Sequence, residues 1–103
     1  MGALAFADGA FDVVCCLEGI EHVPPEVGRA FLQEARRVLA PGGRLLLSSP
    51  YCRTRAHSGN PYHVHEYSPE EIRRAVEAHF AVEDVVEREV DIMTILYLRA
   101  RRR

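Results

Sequence analysis

Val13-Val14-Cys15-Cys16-Leu17 is an unbroken apolar run that stops abruptly at Glu18-Gly19-Ile20-Glu21-His22. A strand apolar on both faces is buried on both, as in the middle of a parallel sheet. Polar groups just past such a strand lie outside its carboxyl end, where open α/β sheets place their chemistry. This single feature predicts an α/β chain with a site near Glu18 to His22. The glycines narrow the prediction. No Gly-rich loop precedes the run, and only Gly42 and Gly43 are adjacent.

The rest of the chain supplies matching elements. Asp8-Gly9 marks a turn ahead of a strand from Phe11 to Cys16. Pro24-Pro25 opens a helix to about Leu39, with Val27, Phe31, Ala35, Val38 and Leu39 at helical spacing. Glu26, Arg29, Glu34 and Arg36 are left for its wet face. Pro41-Gly42-Gly43 is expected to end that helix, and Arg44 to Ser49 to form a second buried strand. Strand, helix and strand in that order imply a parallel crossover. A long polar and aromatic segment, Pro50 to Tyr67, reads as a functional or mobile loop. Ser68-Pro69-Glu70-Glu71 then predicts a capping box and a helix that turns Ile72, Ala75, Val76 and Phe80 inward. Segments around 81–89 and 93–100 read as a hairpin.

Composition limits the function classes. One modest core fits 103 residues, 48% hydrophobic and 27% charged, with a formal net charge of -2. Nothing in that balance draws the chain to nucleic acid or an anionic membrane, and the basic end Arg99, Arg101, Arg102 and Arg103 reads as a solvated strand end. No apolar run nears the roughly 18 residues of a membrane span. Three cysteines make no disulfide framework: Cys15 and Cys16 are adjacent and face opposite ways on a strand. They read as reduced, buried thiols, with Cys52 in a loop, and the whole as a cytoplasmic protein.

The chain resembles the carboxyl-terminal half of a class I (Rossmann-like) S-adenosylmethionine-dependent methyltransferase, of the type 11, ubiquinone-biosynthesis O-methyltransferase-like kind. The resemblance is carried by Phe6 to Val14, Ile20-Glu21-His22-Val23 and Phe31 to Leu47. It implies the family's strands four, five, six and seven, in the local order 4-5-7-6 with the last strand antiparallel. The domain expected over 1–103 is then a single partial one. The Gly-rich turn and the ribose-binding acid would lie before residue 1, leaving the first apolar strand as a bare edge. Such an edge is expected to recruit a second copy or the absent half.

The same resemblance assigns a site. Glu18, Glu21 and His22, at i, i+3 and i+4, share one side if the chain coils after Leu17. Glu-x-x-Glu-His is similar to the metal site of ubiquinone-biosynthesis and small-RNA O-methyltransferases, with His63 matching a further histidine ligand. Carboxylates with imidazole suit Mg²⁺ or Mn²⁺, and Leu17 matches a position that lines S-adenosylmethionine. An ordinary hydrogen-bonded or substrate-facing role for the same residues stays open, since short motifs match by chance. Tyr51, Tyr62 and Tyr67 fit either an acceptor pocket or loop packing. His57, His65 and His79 are expected to make local hydrogen bonds or face solvent. The function implied is methyl transfer to a hydroxyl of a small molecule or glycan. The competing reading is a non-catalytic module that pairs through its first strand.

Overall fold

The structure, a computed structural model, describes residues 5–103. Four strands form one sheet: β1 (Phe11–Leu17), β2 (Leu39–Cys52), β3 (Phe80–Val90) and β4 (Met93–Arg102). Their spatial order is β1-β2-β4-β3. β1 and β2 are parallel, and β4 runs antiparallel to both its neighbours. This is the expected 4-5-7-6 order.

Helix α1 (Pro25–Val38) joins β1 to β2, and α2 (Pro69–Glu77) leads into β3. Proline at the first position suits each helix, where its missing N–H would have no partner anyway. α1 buries Gly28, Phe31, Leu32, Ala35 and Val38, and α2 buries Ile72 and Val76. Both stripes join Cys16, Leu45, Leu47, Leu98 and Ala100 in one core, so both helices cover the same sheet face. Among the described residues the opposite face stays bare, with Val13, Leu17 and Val86 each at least half exposed. No helix among the described residues is long and apolar enough to cross a membrane.

Several expectations are corrected. Pro41-Gly42-Gly43 does not cap α1; the helix passes directly into extended backbone at Leu39, whose N–H reaches the Ala35 carbonyl. The Pro-Gly-Gly segment instead lies within β2 as a break in register, since Phe11 faces Leu39 but Val13 faces Arg44. Gly43 must lack a side chain there: a Cβ would sit 2.9 Å from the Ala40 carbonyl oxygen and 3.1 Å from that of Asp12. β1 is also less buried than its composition suggests. It lies at the edge of the sheet, with Cys15 exposed and only Cys16 buried. Cys52 ends β2 and is buried, not in a loop, and all three thiols are free.

Only half of the predicted capping box forms. The Ser68 hydroxyl accepts the Glu71 N–H at 3.2 Å, but the Glu71 carboxylate turns away to His65 at 2.7 Å. An imidazole competes well for a carboxylate otherwise spent on one exposed backbone N–H. Phe80, expected on α2, is fully buried as the first residue of β3.

Candidate functional site

The carboxyl ends of the parallel pair β1 and β2 open on one side of the sheet, and two segments close over them. The first is the turn after β1. Glu18 adopts positive φ (52°), and its N–H donates to the Ser48 carbonyl at 3.1 Å and the Ser48 hydroxyl at 2.9 Å. A single 3₁₀ turn, Ile20–His22, follows. Ile20 packs against α1 where Gly28 leaves room; a Cβ on Gly28 would lie 3.0 Å from both Ile20 Cγ1 and the Tyr67 hydroxyl. That close approach ties the turn to the helix.

The second segment runs from 57 to 67. It is pinned to the turn because the Val64 and His65 N–H groups donate to the Glu21 carbonyl, at 2.7 and 3.2 Å. His22 completes the join, its Nδ1 lying 2.7 Å from the Tyr62 carbonyl. A long polar loop is thus held by backbone hydrogen bonds to the site's own turn.

These contacts bring Glu21, His22 and His63 together. One ligand atom from each lies within 4.8 Å of the others. The His22 and His63 rings meet edge to face with centroids 5.2 Å apart. Glu21 is only 1% exposed, and neither carboxylate oxygen has a hydrogen-bond partner. Burial pushes its carboxyl pKa up, against the opposing pull of its own backbone N–H and the two histidines. Its nearest ionisable contact is His22 Nε2 at 3.7 Å. The Tyr62 carbonyl can only accept, so Nδ1 of His22 carries a proton, and in the neutral ring Nε2 holds the lone pair. With Glu21 ionised and that ring neutral, a buried carboxylate and an imidazole lone pair face one another with no proton donor between them. Such a cluster lacks a positive charge, and the residues present fit a cation.

Glu18 is not part of the cluster. Its positive φ places it before the 3₁₀ turn, exposed, and the helical coil that would align it with Glu21 does not start until Ile20. Leu17 stands at the tip of β1, 62% exposed. Tyr67 is core, Tyr62 is exposed, and Tyr51 reaches Glu87 across the sheet at 3.4 Å. His57 and His65 make local hydrogen bonds, to the His63 carbonyl and to Glu71. A hollow of about 330 Å³ between α1 and α2, lined by Arg29, Leu32, Tyr67 and Arg74, contains no member of the cluster.

Sequence reasoning passed over Glu66. Its carboxylate is buried and accepts the Ser58 N–H (2.7 Å), the Ser58 hydroxyl (2.5 Å) and His63 Nδ1 (2.6 Å). Desolvation acts to raise its pKa, but these donors together outweigh it and hold the carboxyl below the usual range. The signal was its spacing of three from His63.

A parallel β-α-β unit extended by an antiparallel hairpin, with its polar cluster at the strand tips, defines an α/β domain of the Rossmann-like type. A methyltransferase-domain family matches residues 1–47. The ubiquinone biosynthesis O-methyltransferase of Xanthomonas oryzae pv. oryzae is 46% identical over 41 residues, 40% of this chain and 16% of that protein. The probable S-adenosylmethionine-dependent methyltransferase of Mycolicibacterium smegmatis is 34% identical over 91 residues, 84% of this chain and 35% of that one. Among solved structures, the [4+2]-cyclase SpnF superposes with a TM-score of 0.80 at 17% identity, covering 97% of this chain and 53% of the cyclase. The chain is similar in sequence to S-adenosylmethionine-dependent methyltransferases, and its fold is that of part of the Rossmann-like methyltransferase sheet. It spans well under half the length of the curated relatives it matches.

Proposed function

We propose that this chain forms the acceptor-side half of an S-adenosylmethionine-dependent methyltransferase. In this reading Glu21, His22 and His63 hold a divalent cation, and the acceptor is a hydroxyl of a small molecule or glycan. The observation that carries the proposal is the orphaned Glu21 carboxylate, buried beside two imidazoles without a hydrogen-bond partner. When bound, such a cation supplies Lewis acidity that orients vicinal hydroxyls and lowers the pKa of the attacking oxygen.

The chain's own residues divide the remaining work. Glu21 offsets the cation's charge, and His22 supplies a nitrogen whose orientation the Tyr62 carbonyl sets. Leu17, at the tip of β1, faces the side on which the cofactor would lie. S-adenosylmethionine, when bound, would supply the methyl group, and an acceptor hydroxyl held beside Glu21, His22 and His63 would receive it. One carboxylate with two imidazoles favours Mn²⁺ over Mg²⁺, which prefers all-oxygen surroundings.

Titration with Mn²⁺, followed by calorimetry, tests the cation. Saturable binding by the native chain, lost in Glu21→Ala and His22→Ala, is expected; equal and negligible binding in all three rejects it. Calorimetry with S-adenosylmethionine addresses the second reading, a non-catalytic module pairing through β1, which the exposed strand edge favours. Binding of the cofactor by the isolated chain supports the enzyme, and silence supports the module or a dependence on the preceding half of the fold.

A further inference from the structure

We propose that Glu66 is a positioning residue, one that fixes the tautomer and direction of the His63 ring and thereby leaves Nε2 as the lone-pair nitrogen of a ring that sits beside Glu21 and His22. The proposal rests on the cation reading only for the use made of that lone pair. The geometry of the Glu66 cluster stands apart from it.

The hydrogen bonds leave a single consistent arrangement. The carboxylate of Glu66 is acceptor-only when ionised, so all three groups around it must donate. Two belong to Ser58, through its N–H and its hydroxyl. The third is His63 Nδ1, which must therefore carry the ring proton. The other end of the ring agrees. Asn60 Oδ1 accepts the Tyr62 N–H at 2.9 Å, which fixes the orientation of that amide. Its Nδ2, a donor, is thereby left 3.5 Å from His63 Nε2, an approach that favours a lone pair there.

The same carboxylate holds the loop that carries His22's partner. Ser58 Oγ accepts the Asn60 N–H at 3.2 Å, and Asn60 in turn sets Tyr62, whose carbonyl orients His22. His57 closes the ring of contacts. Its Nδ1 accepts the Gly59 N–H at 2.9 Å, so its Nε2 carries the proton and donates to the His63 carbonyl at 2.8 Å. One buried carboxylate thus governs both imidazoles of the cluster. A carboxylate behind a ligating histidine is the usual means of fixing ring orientation and raising ligand basicity.

Glutamine at 66 exposes the dependence. Its amide cannot accept from all three donors. With its oxygen towards the Ser58 N–H, its NH₂ faces His63 Nδ1 and drives the ring to the Nε2–H tautomer. In the opposite orientation it sets a donor against the half-buried Ser58 N–H.

Long-range proton–nitrogen NMR of the ¹⁵N-labelled, cation-free chain reads the tautomer directly. The native protein and Ser58→Ala, which keeps the carboxylate, are expected to show His63 protonated on Nδ1. Glu66→Gln is expected to show Nε2–H, and Mn²⁺ affinity reduced about 10–100-fold. A native His63 protonated on Nε2, or an unchanged tautomer in Glu66→Gln, overturns the proposal. Should Glu66→Gln not fold, the native and Ser58→Ala spectra still decide it. A native chain that shows the Nδ1–H tautomer but binds no Mn²⁺ defeats the cation reading and leaves the hold of Glu66 on His63 standing.

Discussion

Glu21 is the residue at which stability and chemistry conflict. A buried carboxylate with no hydrogen-bond partner costs the fold its desolvation, and its own backbone N–H with His22 and His63 returns only part of it. Because burial raises its folded pKa, the native state binds the proton more tightly than the unfolded chain does. Stability therefore falls as pH rises from the ordinary glutamate value through the raised one. Glu21→Gln is expected to remove that slope and to stabilise the cation-free protein near neutrality by about 1–3 kcal/mol. Added Mn²⁺ is then expected to raise the melting temperature of the native protein only. Thermal unfolding across pH, with and without Mn²⁺, checks both; an unaltered or lower melting temperature in Glu21→Gln contradicts the assignment. Glu21 and His22 were legible beforehand from their motif spacing, and His63 through the family resemblance. Glu18 was expected with them and is not there, since one positive-φ residue turns the chain away before the coil begins.

At the scale of elements, the sheet is clipped together by a bulge. Val82 faces Ala100 and Asp84 faces Arg99, so Glu83 is the extra residue of β3. The kink aims it at Arg44 of β2 (2.7 Å), Arg99 (3.6 Å) and Arg101 (4.0 Å) of β4. The hydrogen bond from Arg44 first, and then the charges around it, hold its carboxyl pKa below the usual value of 4.5. For a depressed carboxyl the stabilisation is present above the unfolded pKa and disappears as pH falls through the folded one. Glu83→Gln should therefore flatten the loss of stability below about pH 4.5, and added salt should shrink the difference from the native protein. Denaturant midpoints measured from pH 6 downwards read this out, and parallel curves for the two proteins contradict it. The four strands and two helices were predictable from hydrophobic period and from Pro and Ser caps. The bulges at Glu83 and Pro41–Gly43 were not, because register is settled only when two strands meet.

For the molecule as a whole, the bare sheet face and the unpaired side of β1 are the dominant feature among the described residues. Val13 and Leu17 on β1 and Val86 on β3 are exposed on that bare face, and the free edge of β1 has backbone that can pair with another chain. The isolated chain is expected to self-associate with rising concentration. Val13→Lys, 50% exposed in the native protein, is expected to suppress this without unfolding it. Light scattering over a concentration series decides the matter: a monodisperse native monomer at high concentration, with rapidly exchanging β1 amides, contradicts it. The same architecture serves a [4+2]-cyclase as well as methyltransferases, so the fold alone does not fix the reaction.

Local sequence by itself determined the elements of this protein, their order and the Glu21-His22 pair of its polar cluster. The elements and the Glu21-His22 pair rest on short-range causes (side-chain period, proline geometry, capping hydroxyls and close spacing), while His63 was indicated only by the family resemblance. Tertiary structure alone decided that Glu66 stands behind His63, that Glu71 leaves its cap for His65, and that Glu21 is buried without a partner. Each depends on which groups compete for one acceptor once distant segments are packed together, and that competition does not exist until the chain has folded.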